Sequence, residues 1–286
     1  MKLLFTSDIH ASNTHLFSML STAEKEMVDV LIMGGDLIPH YLPETKKFGM
    51  LRAQAMYLED IFIPAVMNFK GRSDTIIYLD LGNDDFGYNR KILEKYNGKL
   101  FNLLHFERHS LTDEVDIIGY MIVPPTPFKI KDWEKPDSLE NPCMRNNRAV
   151  IDGFISLNGI LEEYTLDFSS NNTIKKDLNE ISKMIKKPFI FISHSPPYNC
   201  PLDMIQNGLN VGSISIRRFI EEWAGKGLLV AAFHGHIHES PMLSGSISTN
   251  IGGTICVSPG QGTGPGAEFR YIIFNLSGDR ISFDFS

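Results

Sequence analysis

The sequence predicts an α/β protein with mixed strand pairing, and three observations carry that expectation. Nine short, dense apolar runs recur along the chain, each bounded by Gly, Asp, Asn or Pro, the pattern of strands buried on one or both faces. In the first half these runs alternate with longer segments of helical period, which implies parallel pairing through crossover helices. Near the end only turns separate them, which implies antiparallel pairing.

Taken in order, the run LLFT at 3–6 leads into a helical segment at 14–27, and DVLIM at 29–33 leads into one at 46–69. TIIYLDL at 75–81 and DIIGYMIV at 116–123 follow. The stretch from Pro124 to about Asn172 is different, because PPTPFKIKDWEKPDSLENP is rich in Pro, Lys and Asp and shows no clean period. It reads as a loop-rich excursion near the functional site and not as a second domain. A helical segment at 173–186 precedes FIFIS at 189–193, and another at 213–224 precedes LLVAAF at 228–233. TICVS at 254–258, YIIFNL at 271–276 and ISFDF at 281–285 complete the set, with Ser277-Gly278-Asp279 as the last turn.

The length of 286 residues, 43% hydrophobic and 21% charged, suits an ordinary globular chain, and we expect a single domain over 1–286. Cys143, Cys200 and Cys256 are too few and too scattered for a disulfide framework, and they form no CxxC pair. No apolar run approaches the roughly 18 residues a bilayer span requires, so no membrane association is expected. The start MKLLFTSDIH carries too short an apolar stretch for a signal peptide, which points to a cytoplasmic protein. A net charge of −7 argues against non-specific nucleic-acid binding, which relies on surplus Lys and Arg to release counterions. Lys175, Lys176, Lys183, Lys186 and Lys187 cluster locally, but Ile174, Leu178, Ile181 and Ile185 run among them at helical spacing, so they read as a solvated helix face.

The functional signal lies in where the strands end. LLFT runs into Asp8-Ile9-His10, DVLIM into Gly34-Gly35-Asp36, and TIIYLDL into Gly82-Asn83-Asp84-Asp85. FIFIS runs into His194, and LLVAAF into His234-Gly235-His236-Ile237-His238. Ligands of open α/β sheets bind beyond the carboxyl ends of the strands, so five such ends deliver their side chains to one place. Imidazoles suit zinc, iron and nickel, carboxylates suit manganese and magnesium, and a carboxylate can bridge two ions while an amide oxygen completes a shell. Glycines beside Asp36, Asn83 and His236 permit the tight turns that such a cage needs.

These blocks, Asp8-x-His10, Gly35-Asp36, Gly82-Asn83-Asp84-Asp85, a lone His194 and Gly235-His236-x-His238, resemble the signature of the calcineurin-like metallophosphoesterases in order and spacing. The resemblance spans nearly the whole chain. It implies a sandwich of two mixed β-sheets flanked by helices. It also implies two divalent or trivalent transition-metal ions (Mn, Fe, Zn or Ni), one held by Asp8, His10 and His238, the other by Asn83, His194 and His236, with Asp36 bridging. Such a pair would share a water, lower its pKa toward about 7 and present it to a small phosphoester. One position departs from the family, since Asp84 stands where most members have His, with Asp85 as the acidic residue after it. We treat Asp84 and Asp85 as candidate catalytic residues, and the substitution points to a phosphodiesterase over a phosphomonoesterase or protein phosphatase. A binding scaffold that keeps the fold without catalysis is the rival from another class, and the complete ligand set argues against it.

Taken singly, Asp8 would read as a helix cap and His194 as a satisfied core residue; their joint arrangement is what reverses this. His234 falls outside the family pattern and reads as packing behind the ligands. His15, His40, His105 and His109 lie outside every block. Gly212-Ser213 reads as a helix cap, Arg217 and Arg218 as ordinary helix arginines, and Pro196-Pro197 as a brace for the loop after His194.

Overall fold

The computed structural model describes residues 1–38, 49–141, 150–262 and 266–283; Cys143 and His40 lie outside them. The chain begins with β1 (Lys2–Thr6) and passes through the helix Asn13–Lys25 to β2 (Val30–Met33). The helices Met50–Tyr57 and Ile63–Lys70 then lead to β3 (Ile76–Leu79). A π-helical turn, Leu58–Phe62, joins those two helices at Pro64, where the missing N–H interrupts the regular ladder and a wider turn absorbs the mismatch. Serine and threonine side chains cap three helices, as Ser12, Thr173 and Ser213 each accept the N–H three residues on.

After β3 come β4 (Asn102–Leu103), β5 (Arg108–Ser110) and β6 (Asp116–Tyr120). The excursion holds an antiparallel hairpin that the sequence reading does not anticipate, β7 (Asp152–Leu157) with β8 (Ile160–Thr165). Its signal is present in Asn158-Gly159, where both residues take positive φ, 53° and 85°, as a two-residue hairpin turn requires. The helix Ile174–Met184 leads to β9 (Phe189–Ser193), and the helix Ile214–Gly225 to β10 (Leu229–His234). After the short helix Ser240–Ser244, β11 (Ser248–Ile251), β12 (Thr254–Val257), β13 (Ile272–Ser277) and β14 (Arg280–Phe283) close the described chain.

Two six-stranded mixed sheets result, ordered β14-β13-β1-β2-β3-β4 and β11-β12-β10-β9-β6-β5. In the first, β1, β2, β3 and β4 are parallel while β13 and β14 are antiparallel additions. In the second, β12, β10, β9 and β6 are parallel and the two edge strands run against them. The sheets pack face to face through aromatic rings, with Phe233 of β10 lying 5.1 Å from Phe5 of β1 and 4.5 Å from Phe274 of β13. On the outer face of the second sheet, Phe191 meets Phe219 of the helix Ile214–Gly225 at 4.8 Å. One connected apolar cluster runs from Leu3 to Leu276 through both sheets. The fold is therefore the sandwich of two mixed sheets flanked by helices that the family resemblance implies.

Candidate metal centre

The five ligand-bearing strand ends belong to two sheets, three to one and two to the other, and they meet at one end of the sandwich. Asp8, Asp36 and Asn83 follow β1, β2 and β3; His194 follows β9, and His236 and His238 follow β10. Alternation along a strand cannot place so many polar groups together, so the chain turns sharply just beyond each end. Asp8, His10, Asp36 and His236 all lie in the left-handed backbone region, with φ of 59°, 42°, 52° and 69°. Non-glycine residues enter that region at a cost, and such outliers concentrate at functional sites. The turns also bring backbone too close for a side chain at Gly82, where a Cβ would lie 2.2 Å from Asp36 Oδ1 and 2.8 Å from His194 Nε2.

Asp8, His10, Asp36 and His238 place one potential ligand atom each within 4.8 Å of one another. His10 Nε2 faces His238 Nε2 at 2.9 Å, and His238 Nε2 lies 3.3 Å from Asp8 Oδ1. Beside this group, His194 Nε2 sits 3.0 Å from Asn83 Oδ1 and 3.3 Å from Asp36 Oδ2, with the His236 ring centroid 5.3 Å from that of His194. Asp36 Oδ2 also lies 3.8 Å from His10 Nε2, so this one carboxylate stands between the two groups. All seven predicted metal residues are brought together.

Backbone and neighbouring groups hold these side chains in place. His194 Nδ1–H donates to the Gly34 carbonyl at 2.7 Å, which turns Nε2 toward Asn83 and Asp36. The His236 N–H donates to both oxygens of Asp8 at 3.0 and 3.1 Å, and the Ser7 hydroxyl donates to Asp8 as well. The Asp84 N–H donates to Asp36 Oδ1 at 3.0 Å.

The electrostatics ask for positive charge. Burial opposes protonation of His194, yet Asp36 and Asp8 outweigh it and push its pKa up to about 10; burial opposes His238 likewise, and Asp8 lifts it to about 9. Burial would raise Asp8, but His238 and His194 pull it down to about 2, and against the same burial Asp36 is lowered further still by His194 and His10. His236, buried and beside His194, falls to about 3 and stays neutral. A cage of buried carboxylates, imidazole nitrogens facing each other and an amide oxygen is the donor set that borderline transition-metal cations take. The residues present fit such ions.

The two candidate catalytic carboxylates occupy different places. Asp84 lines the 440 Å³ cavity that also touches Asp8, His10, Asn83, His236 and His238, with its Oδ2 3.9 Å from His10 Nδ1. Asp85 does not line that cavity. Fully buried, it accepts N–H groups from Leu37, Ile38 and Gly82 at 2.9–3.0 Å, tying the Asp36 loop to the Asn83 loop. Its three accepted N–H groups tie two ligand loops together, and it stands one residue from Asp84, which faces the cavity.

Sequence reasoning misses Gln54, a buried side chain that donates to the Asp84 carbonyl at 3.0 Å and accepts the Phe86 N–H at 2.8 Å. Nothing local flags it, because it sits in an ordinary helical period. His15, outside every motif, lines the cavity while its Nε2 donates to the Ala267 carbonyl at 3.0 Å. His234 is buried outside the cage and pairs with Ser193 at 2.9 Å, a packing role as expected. Ser213 caps its helix, and Arg217 donates to the Tyr198 and Asn199 carbonyls, so it braces a loop. In the lysine cluster, Lys175, Lys183 and Lys187 pair with Glu140, Glu180 and Asp116. Among the described residues no helix is long and apolar enough to cross a membrane.

Comparisons with known proteins bear on the family and the fold. The chain is similar to the uncharacterized protein MJ1162 of Methanocaldococcus jannaschii, with 28% identity over 205 residues that cover 68% of this chain and 81% of that one. Its fold is similar to that of TT1561 of Thermus thermophilus, with a TM-score of 0.55 at 13% identity over 99% of this chain and 97% of the other. A dimetal phosphatase from Danio rerio also has a TM-score of 0.55, at 10% identity over 99% of this chain and 95% of that one. At such identities these two likenesses establish the fold alone. The family model for calcineurin-like phosphoesterases matches residues 1–240, and the chain therefore belongs to that family, a membership that supports metal-dependent phosphoester hydrolysis.

Proposed function

We propose that the protein is a single-domain phosphodiesterase that works with two transition-metal ions, manganese or iron first among them. The observation that carries this reading is the position of Asp36, whose Oδ2 stands 3.8 Å from His10 Nε2 and 3.3 Å from His194 Nε2, between two sets of ligand atoms. Asp8, His10 and His238 would hold one ion and Asn83, His194 and His236 the other, with Asp36 shared. The Danio rerio structural neighbour, described as a dimetal phosphatase, is in keeping with two ions.

When bound, the ions supply Lewis acidity and an activated water for in-line attack on phosphorus. The chain's own residues supply position. Asp84 N–H aims Asp36, Gly34 fixes the ring of His194, His236 N–H and Ser7 orient Asp8, and Asp85 locks two ligand loops together. The side chain of Asp84 sets selectivity, because an ionised carboxylate beside the phosphate repels the near-dianionic monoester more than the monoanionic diester.

Elemental analysis of purified protein should find up to two transition-metal ions per chain, and the metal-loaded protein should hydrolyse aryl phosphodiesters. Asp36→Asn should release both ions to a chelator sooner than His236→Ala, since a shared carboxylate neutralises two cations. A metal-loaded protein inert toward every mono- and diester tried would remove the hydrolase reading. Full metal retention by Asp36→Asn would remove Asp36 as the bridge.

A further inference from the structure

A second cavity of about 580 Å³ adjoins the metal cavity and shares Phe128, His236 and Glu239 with it. Its walls are mainly apolar, formed by Pro124, Pro127, Phe128, Ile205, Val211 and Ile237. Gln206 and Asn207 add neutral amides. Among the described residues that line either cavity there is no lysine or arginine. Phe128 stands where the cavities meet and is 47% exposed.

Both walls are held in place by buried polar groups. On one side, three prolines in Pro124–Phe128 restrict the backbone, and the Thr126 N–H donates to Glu134 at 3.1 Å. The Phe128 N–H donates to Thr126 Oγ1 at 3.0 Å, and Lys131 pairs with Glu134 at 2.8 Å with both side chains fully buried. On the other side, Asp203 accepts the Asn199, Cys200 and Gly212 N–H groups at 2.9–3.0 Å, closing the loop that carries Ile205 and Val211. A pocket with both walls fixed before binding spends little free energy on ordering them.

We propose that this cavity receives one ester arm of the substrate, and that the arm is apolar and planar, of aromatic or nucleobase size. The inference rests on the phosphoesterase reading of the adjoining site. A volume of about 580 Å³ lies in the range of small-molecule pockets and exceeds what a methyl or ethyl ester would fill. The amides of Gln206 and Asn207 suit the polar edge of a heterocycle.

The test uses phosphinates, which carry the single charge of a diester and have no ester bond to cleave. Dimethylphosphinate, methyl(phenyl)phosphinate and methyl(1-naphthyl)phosphinate are titrated calorimetrically into metal-loaded protein. Affinity should rise at least about tenfold from the methyl to the naphthyl arm, as buried apolar area grows. Val211→Trp, which fills the cavity, and Phe128→Ala, which removes apolar wall where the two cavities meet, should each shrink that ratio to about threefold or less. Equal affinities for the three arms in the wild type, or an undiminished ratio in both variants, overturns the proposal. Turnover of bis(p-nitrophenyl) phosphate by the same preparation separates the two readings. Turnover without arm-dependent binding sinks the arm pocket alone, and arm-dependent binding without turnover leaves the pocket standing while the hydrolase reading falls.

Discussion

Replacing Asp84 by His isolates the residue that sets this chain apart from most of its family. The change keeps the backbone groups that aim Asp36 and meet Gln54, but it removes the carboxylate that accepts the Asn83 Nδ2–H at 3.1 Å, so metal content has to be matched between wild type and variant. Asp84 lines the 440 Å³ cavity, and for a phosphate held roughly 5–8 Å from its carboxylate one extra negative charge would cost roughly 2–3 kcal/mol at an effective dielectric of about 20. Bound cations and cavity water screen part of this, and halving it leaves about 1–1.5 kcal/mol, or close to a tenfold difference in kcat/KM. Asp84→His should therefore raise monoester turnover about tenfold relative to diester turnover, and an imidazole there also offers a proton to the leaving group. Steady-state kinetics on p-nitrophenyl phosphate and bis(p-nitrophenyl) phosphate, with metal content matched, measure the ratio. A wild type that prefers the monoester, or a variant whose ratio is unchanged, refutes the reasoning.

Lys131→Met strips the buried Glu134 of its counter-charge. Burial already pushes Glu134 up to about 7 against the pull of Lys131, so the variant should lose roughly 3–5 kcal/mol in urea unfolding. Lys131→Met combined with Glu134→Gln, which removes the charge and keeps an acceptor for the Thr126 N–H, should recover much of that loss, and additive costs would show that the pair is not coupled. Below neutrality, His105 should weaken the fold. Burial lowers its pKa to about 4, and its Nδ1 accepts the Met121 N–H, so the folded state favours the neutral ring. Against an unfolded value of about 6.5, stability is full above that pH and falls by roughly 3 kcal/mol as pH drops toward 4. His105→Gln should flatten that slope in denaturant midpoints between pH 7 and 4, and parallel slopes would clear His105.

All seven candidate metal residues are legible in the sequence because each follows an apolar run that can only be a strand, and because Gly35, Gly82 and Gly235 mark the close turns beside them. Strand existence is a local property, set by dense runs such as FIFIS with breakers on either side, and the core strands and long helices form where periodicity puts them. The hairpin at Asn158-Gly159 is equally local, but a polar, proline-rich stretch hides its alternation. Other features are set by contacts between residues far apart in sequence. Strand ends converge at one site from two sheets because Phe233 packs on Phe5 and Phe274 across the sandwich, and the first of these partnerships joins opposite ends of the chain. Asp84 and Asp85 are adjacent and chemically identical in the sequence. Only the fold separates them, turning one into the cavity and the other onto the N–H groups of Leu37, Ile38 and Gly82. Gln54 and the apolar cavity beside Phe128 likewise depend on side-chain packing between segments remote in the chain, which no local pattern encodes.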